Sequence, residues 1–138
     1  MISLEEVRQS IISTFKGIHD TGYSSTLVNY PNYVVVDLEH QRDPFVSIEL
    51  ETAEVERGGI GEREIFIRGI LRVYYYYRDG TGVSNAYTYT DYLNNYLSMT
   101  LVDSVQYEAI DVLNVVSFPG WKGCMNSVPF AVVRGINC

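Results

Sequence analysis

The groups in this chain best suited to proton transfer or metal binding are two histidines, two cysteines and a run of alternating glutamates. His19 and His40 fall in different segments, without the H-x-x-x-H or H-E-x-x-H spacing that sets two imidazoles on one helix face for zinc. Cys124 and Cys138 form no C-x-x-C and are too few for a disulfide framework, which points to a reducing compartment. Glu49, Glu51, Glu54 and Glu56 alternate along a strand-like stretch. Glycoside hydrolysis needs two carboxyl groups in a cleft with pKa values pushed apart, whereas alternation describes a solvated strand face. The loops "GGIG" and "DGTG" complete neither G-x-x-x-x-G-K-[ST] nor G-x-G-x-x-G, and there is no G-x-S-x-G elbow. The expectation is a protein that is not an enzyme, with no catalytic residue, cofactor or metal.

The stretch "LRVYYYYRDGTG", residues 71–82, carries a different kind of chemistry. Strand alternation sends Tyr75 and Tyr77 to one side and leaves Tyr74 and Tyr76 on the other, beside Arg72. A base-stacking platform needs basic surroundings to hold phosphates. Here 17 acidic residues outnumber 10 Lys and Arg, for a net charge of −7 and a pI near 4.7. That is the wrong sign for a duplex-binding face. Tyrosine and arginine are also the residues enriched where proteins meet, so the Tyr-Arg ribbon predicts a subunit contact.

The elements that would carry these groups follow from periodicity. The 138 residues, 46% of them apolar, predict one folded domain spanning 1–138. The apolar runs "YVVV" and "VYYYY" are far short of a membrane span, and the start "MISLEEVRQS" does not read as a signal peptide. Residues 3–17 predict a helix, with Ser3 and Glu6 spaced as a capping box, an apolar stripe through Leu4, Val7, Ile11, Ile12 and Phe15, and a stop at Gly17 or Gly22. "VNYPNY" reads as a turn and "VVVDLE" as a short strand.

Residues 45–56 and 64–78 alternate as strands around the glycine-rich turn "RGGIGER". A turn about residues 58–61 would pair Leu50 with Gly69, Ile48 with Leu71 and Val46 with Val73 inward. Glu51 would then meet Arg68, and Ser47 would meet Arg72, on the outward side. Residues 83–99 predict a second helix burying Ala86, Tyr89, Leu93, Tyr96 and Leu97. It would be capped by Ser84 or Thr81, with Asn85, Thr88, Asp91 and Asn95 in solvent. Residues 105–135 predict two or three short strands around a Pro-Gly-Trp turn, with Trp121 folded back as a core anchor. The class is α+β: a mainly antiparallel sheet with a long central hairpin, packed on one face by two helices.

The order "IGEREIFIRGILRVYYYYRDGTG", a helix, then "FPGWKGCMNSVPF" resembles the tail terminator proteins of long-tailed bacteriophages, a lambda-like family. The matching positions are Gly61, Arg63, Gly69, Leu71, Val73, Gly80, Thr81 and Gly82, then Gly120, Trp121 and Asn126 to Phe130, with the early turn Asn29 to Asn32. The likeness spans residues 45–130, together with the start helix by type, and the four tyrosines and "KGCM" depart from it. The resemblance implies a homo-hexameric ring that caps the finished tail tube and stops its polymerisation. The ring would offer a docking surface to the head-completion or neck protein. DNA would cross its lumen without specific binding, helped by like charge, and no membrane is involved. It would be assembled in the host bacterial cytoplasm and reside in the virion, at the tail and neck. Two surfaces are candidates for subunit or tube contact: the hairpin region Glu54–Glu64 with Arg57 and Arg63, and the face bearing Arg68, Arg72, Tyr74 and Tyr76. The alternatives are another neck or tail-tube component, or a small acidic protein-binding inhibitor.

Overall fold

The computed structural model describes residues 3–136 apart from 32, 60, 61 and 81; over residues 53–66, 114–116 and 133–136 only the backbone path is described. Helix α1, Leu4–Tyr23, begins where Ser3 Oγ accepts a hydrogen bond from the Glu6 backbone N–H at 3.1 Å. Glu5 and Glu6 in the first turn suit the positive end of the helix dipole. Val7, Ile11, Phe15 and His19 recur every fourth residue and form the buried stripe. The helix runs past its predicted end, through Gly17 and Gly22. An isolated glycine costs only about 1 kcal/mol in a helix, and tertiary contact overrides it. Gly22 is a contact site: a Cβ there would stand 2.7 Å from the Tyr92 ring, whose hydroxyl donates to the Ile18 carbonyl.

Strand β1, Val28–Asn29, leads into the Tyr30–Tyr33 turn, closed by reciprocal backbone bonds of 3.1 and 2.9 Å. The strand predicted at "VVVDLE" does not form. The Asn29 side-chain oxygen accepts from the backbone N–H groups of both Val35 and Val36, at 2.8 and 3.0 Å. Donors that a ladder would use are thereby taken locally.

Strands β2, Phe45–Gly59, and β3, Glu62–Arg78, form the central antiparallel hairpin. The observed pairs are Leu50–Leu71, Ile48–Val73 and Val46–Tyr75, two positions away from the predicted register. The cause is the length of the ladder, which continues to Gly59–Glu62 through residues assigned from sequence to a turn. A shift of two leaves every described side chain on its predicted face, because the side-chain period is two.

Helix α2, Val83–Tyr96, follows Gly82, whose φ of 79° makes the left-handed cap; no side-chain cap bond is present. Ser84 therefore lies within the helix, and Thr81 is outside the described residues. Ala86, Tyr89 and Leu93 are buried, as predicted, along with Leu97, but Tyr96 is exposed and Thr90 is buried in its place. At about 100° per residue, Tyr96 sits roughly 80° from the centre of the stripe defined by the buried residues.

Strands β4, Leu101–Val102, and β5, Val105–Tyr107, are joined by Asp103 and Ser104 at φ 50° and 70°, the two positive angles of a type I′ hairpin turn. Strands β6, Asp111–Phe118, and β7, Trp121–Ile136, turn at Pro119 and Gly120, with Gly120 at φ 85°. Strand β7 has 16 residues, against the short strands expected, because it pairs with β3 along its full length, from Arg78–Trp121 to Arg63–Ile136.

The seven-stranded sheet runs β1-β2-β3-β7-β5-β4, with β6 sharing the second edge of β7; among the described residues only β1 is parallel to its neighbour. Both helices pack on one face, where Phe15 and Ile11 of α1 and Tyr89 and Leu93 of α2 meet Ile48, Leu71, Val73 and Val128. The fold is α+β, as the alternation and helix periods predict.

Gly69 marks the tightest point of the sheet. A Cβ there would lie 1.9 Å from the Glu51 carbonyl oxygen and 2.6 Å from the Phe130 ring. Gly69→Ala is expected to cost about 1–3 kcal/mol or more by overpacking, read as a lower urea midpoint at unchanged slope.

Candidate functional site

No described helix packs on the second face of the sheet, and the even-numbered side chains of residues 68–78 in β3 point onto it. At one end it is roofed by a small aromatic cluster. Trp121 meets Phe45 edge-on at 5.0 Å between ring centroids, and Tyr76 lies 5.1 Å from Phe45 and 5.3 Å from Phe118, with Val36 closing the group. Gly123, opposite Tyr76 in the ladder, makes room for the phenol: a Cβ there would come within 2.6 Å of the ring. The Arg78 guanidinium stands 4.5 Å from the centroid of the Trp121 ring and donates to the Gln41 carbonyl at 2.7 Å. Trp121 is thus a core anchor, as expected, but of a second core. Tyr76 is half-buried in that core, and its burial pushes the phenol pKa up to about 12. The expectation of an open Tyr76 is corrected accordingly: Phe45 and Phe118 cover the tyrosine within its own chain.

Next along β3, the Tyr74 ring stacks on Tyr76 at 5.8 Å, and its hydroxyl donates to the Glu49 carboxylate at 3.2 Å. Burial, then Glu49, raises the Tyr74 pKa. The Arg72 guanidinium reaches Glu51 at 2.7 Å. That bond lowers the Glu51 carboxyl below its ordinary pKa and raises that of Arg72. These are diagonal cross-strand contacts: in register, Arg72 stands opposite Glu49, and Tyr74 opposite Ser47. The predicted Glu51–Arg68 and Ser47–Arg72 pairs give way to them because of the two-position shift.

Arg68 lies exposed farther along the same face. Arg57 and Arg63 stand opposite Glu64 and Gly58 in the ladder, in continuous strand where a turn was expected; their side chains lie outside the described residues. The structure therefore gathers Arg72, Tyr74 and Tyr76 into one row, with their polar groups engaged by residues of the same chain or half-buried.

The histidines separate. His19 is buried between the helices, with Nε2 at 2.9 Å from the Thr26 carbonyl and Nδ1 at 2.7 Å from the Tyr89 hydroxyl. A carbonyl can only accept, so Nε2 carries the proton and Tyr89 donates to Nδ1. His40 is exposed, and its Nδ1 lies 2.9 Å from Asp37, whose carboxyl pKa is lowered by that contact. With Glu39 these form the one grouping among the described residues with three possible metal-ligand atoms close together, all on an exposed turn. No described helix is long and apolar enough to cross a membrane.

Sequence periodicity misses two apolar strips. One follows β1: Tyr33 and Val34 are 66% and 75% exposed, flanked by exposed Leu27, Val35 and Leu38. The other lies at the end of α2 and on β4: Met99 and Leu101 are 70% and 67% exposed, beside exposed Tyr96. The "YVVV" run reads as strand, and Tyr96 as core, which hides both. The available signal was the Asn29 side chain, which can claim backbone donors ahead of a ladder.

No protein-family model matches the chain, and no curated protein matches it. The fold is similar to a solved structure bearing no functional name, at 12% sequence identity and a TM-score of 0.73, with 100% of each chain covered. That likeness establishes a shared fold.

Proposed function

We propose that this chain is a tail terminator of a long-tailed bacteriophage, a structural protein that closes into a ring on the tail tube, ends its growth and receives the head or neck. The observation that carries the reading is how the two sequence blocks resembling that family meet. Gly69, Leu71 and Val73 of the first block pair directly with Phe130, Val128 and Asn126 of the second, in the ladder between β3 and β7. The similarity therefore falls on one packed unit at the centre of the sheet. Asn126 is buried there, donating to the Val73 carbonyl at 3.2 Å and accepting from the Thr90 hydroxyl at 2.7 Å, which ties the sheet to α2.

Termination needs unlike faces on one ring: one that docks on the tube and one that does not copy the tube's growing end. A sheet with helices on one side and a Tyr-Arg-Glu row on the other supplies two chemically different faces. The net charge of −7 suits a lumen that DNA crosses without adhering. Native mass spectrometry with negative-stain microscopy of the concentrated protein tests the ring directly. Closed rings of six are expected. Long tubes formed by this chain alone would overturn the reading in favour of a tube subunit.

A further inference from the structure

We propose that the cleft between the end of α1, the start of β2 and the first turns of α2 binds a primary ammonium group on an aliphatic chain. The cleft has a volume of about 420 Å³, within the usual range of small-ligand sites, and Tyr23, Thr26, Asp43, Pro44, Tyr75 and Asn85 line it. The inference does not rest on the ring reading.

Segments far apart in sequence converge there. Tyr23 closes α1, Asp43 and Pro44 precede β2, Tyr75 lies in β3 and Asn85 in the first turn of α2. Two buried side chains hold the walls in place. The Tyr89 ring packs against both phenols, 4.8 Å from Tyr23 and 5.1 Å from Tyr75 between centroids. His19 Nε2 donates to the Thr26 carbonyl at 2.9 Å. Walls fixed in this way lower the ordering cost of binding.

The lining selects the ligand. Tyr75 is 5% exposed, and its hydroxyl has no hydrogen-bond partner among the described residues. A polar group so buried is normally paired, and the cleft gives a partner access from outside. The Tyr23 hydroxyl, the Asp43 carboxylate and the Asn85 amide are likewise unpartnered among the described residues. Asp43 is the one charged group among the described lining residues, with no lysine, arginine or histidine beside it in that lining. The positive end of α2 amounts to about half a charge, against a full negative charge on Asp43. A phosphate or carboxylate ligand would therefore be repelled, and a neutral polyol would leave the Asp43 charge unmatched. An alkylammonium has three donors and no acceptor. The carboxylate, the phenol oxygens and the amide carbonyl supply its acceptors, and the tyrosine rings with Pro44 supply apolar surface for its chain.

Saturation-transfer NMR on the full chain tests this with three probes: the diamine cadaverine, the diol of the same chain length, and lysine blocked at both backbone ends. Saturable transfer to the cadaverine methylenes is expected, and none to the diol at the same concentration. Transfer to blocked lysine as well would assign the site to lysine side chains of a protein partner; transfer to cadaverine alone would assign it to a free amine. Asp43→Asn keeps the shape of an exposed side chain and is expected to weaken cadaverine binding by about tenfold or more. Tyr75→Phe is expected to weaken it roughly three- to tenfold, with an unchanged circular dichroism spectrum. Asp111→Asn removes an exposed carboxylate outside the cleft and is expected to leave binding unchanged. No transfer to either amine, or a diol that binds as tightly as cadaverine, would overturn the inference. Equal loss from Asp111→Asn would also overturn it, by reducing the effect to the net charge of the chain.

Discussion

Trp121→Ala is expected to lower the unfolding free energy by about 3–5 kcal/mol, the usual range for removing a buried tryptophan. The indole is 3% exposed and holds the second core together: Phe45, Phe118 and Arg78 all pack directly against it. Without it, Phe45 and Phe118 lose their shared ring partner and Arg78 loses its aromatic platform. The change is read by urea denaturation followed by circular dichroism, since Trp121 is the sole tryptophan and its removal eliminates the fluorescence probe. A loss within experimental error would mean that the aromatic cluster contributes nothing to folding.

His19→Ala is expected to cost about 2–5 kcal/mol, through a cavity between the helices and two stranded polar groups, the Tyr89 hydroxyl and the Thr26 carbonyl. The same histidine makes stability depend on pH. Burial lowers its imidazole pKa below 6.5, although the bond to Thr26 and the Asp20 carboxylate pull the other way. The unfolded chain therefore takes up a proton that the folded chain resists. The stability associated with neutral His19 is complete above about pH 6.5 and declines as the pH falls from there toward the folded-state pKa. Denaturation midpoints at pH 7.5 and pH 5.5 should differ more for the wild type than for His19→Ala. Equal differences would show that His19 does not titrate on unfolding.

What the sequence made legible was the side each residue faces. The alternation of residues 64–78 assigned Leu71, Val73, Tyr75 and Tyr77 to the core correctly, and the capping spacing of Ser3 and Glu6 placed the start of α1. Register was less legible, because parity is indifferent to a shift of two and the glycines at 58 and 59 resemble a turn while lying in strand. The second core was not legible. It depends on Phe45, Val36, Phe118 and Trp121 converging from four segments, and on Gly123 leaving space for Tyr76. Local periodicity carries no information about such a meeting. Arg72 and Tyr74 look unpaired in the sequence and find Glu51 and Glu49 only once β2 lies beside β3.

The proposed role is tested most directly by electron microscopy of phage tails assembled with and without this gene product. Tails of uniform length are expected in its presence and overlong tubes in its absence. Tails of the same uniform length in both cases would contradict the proposal.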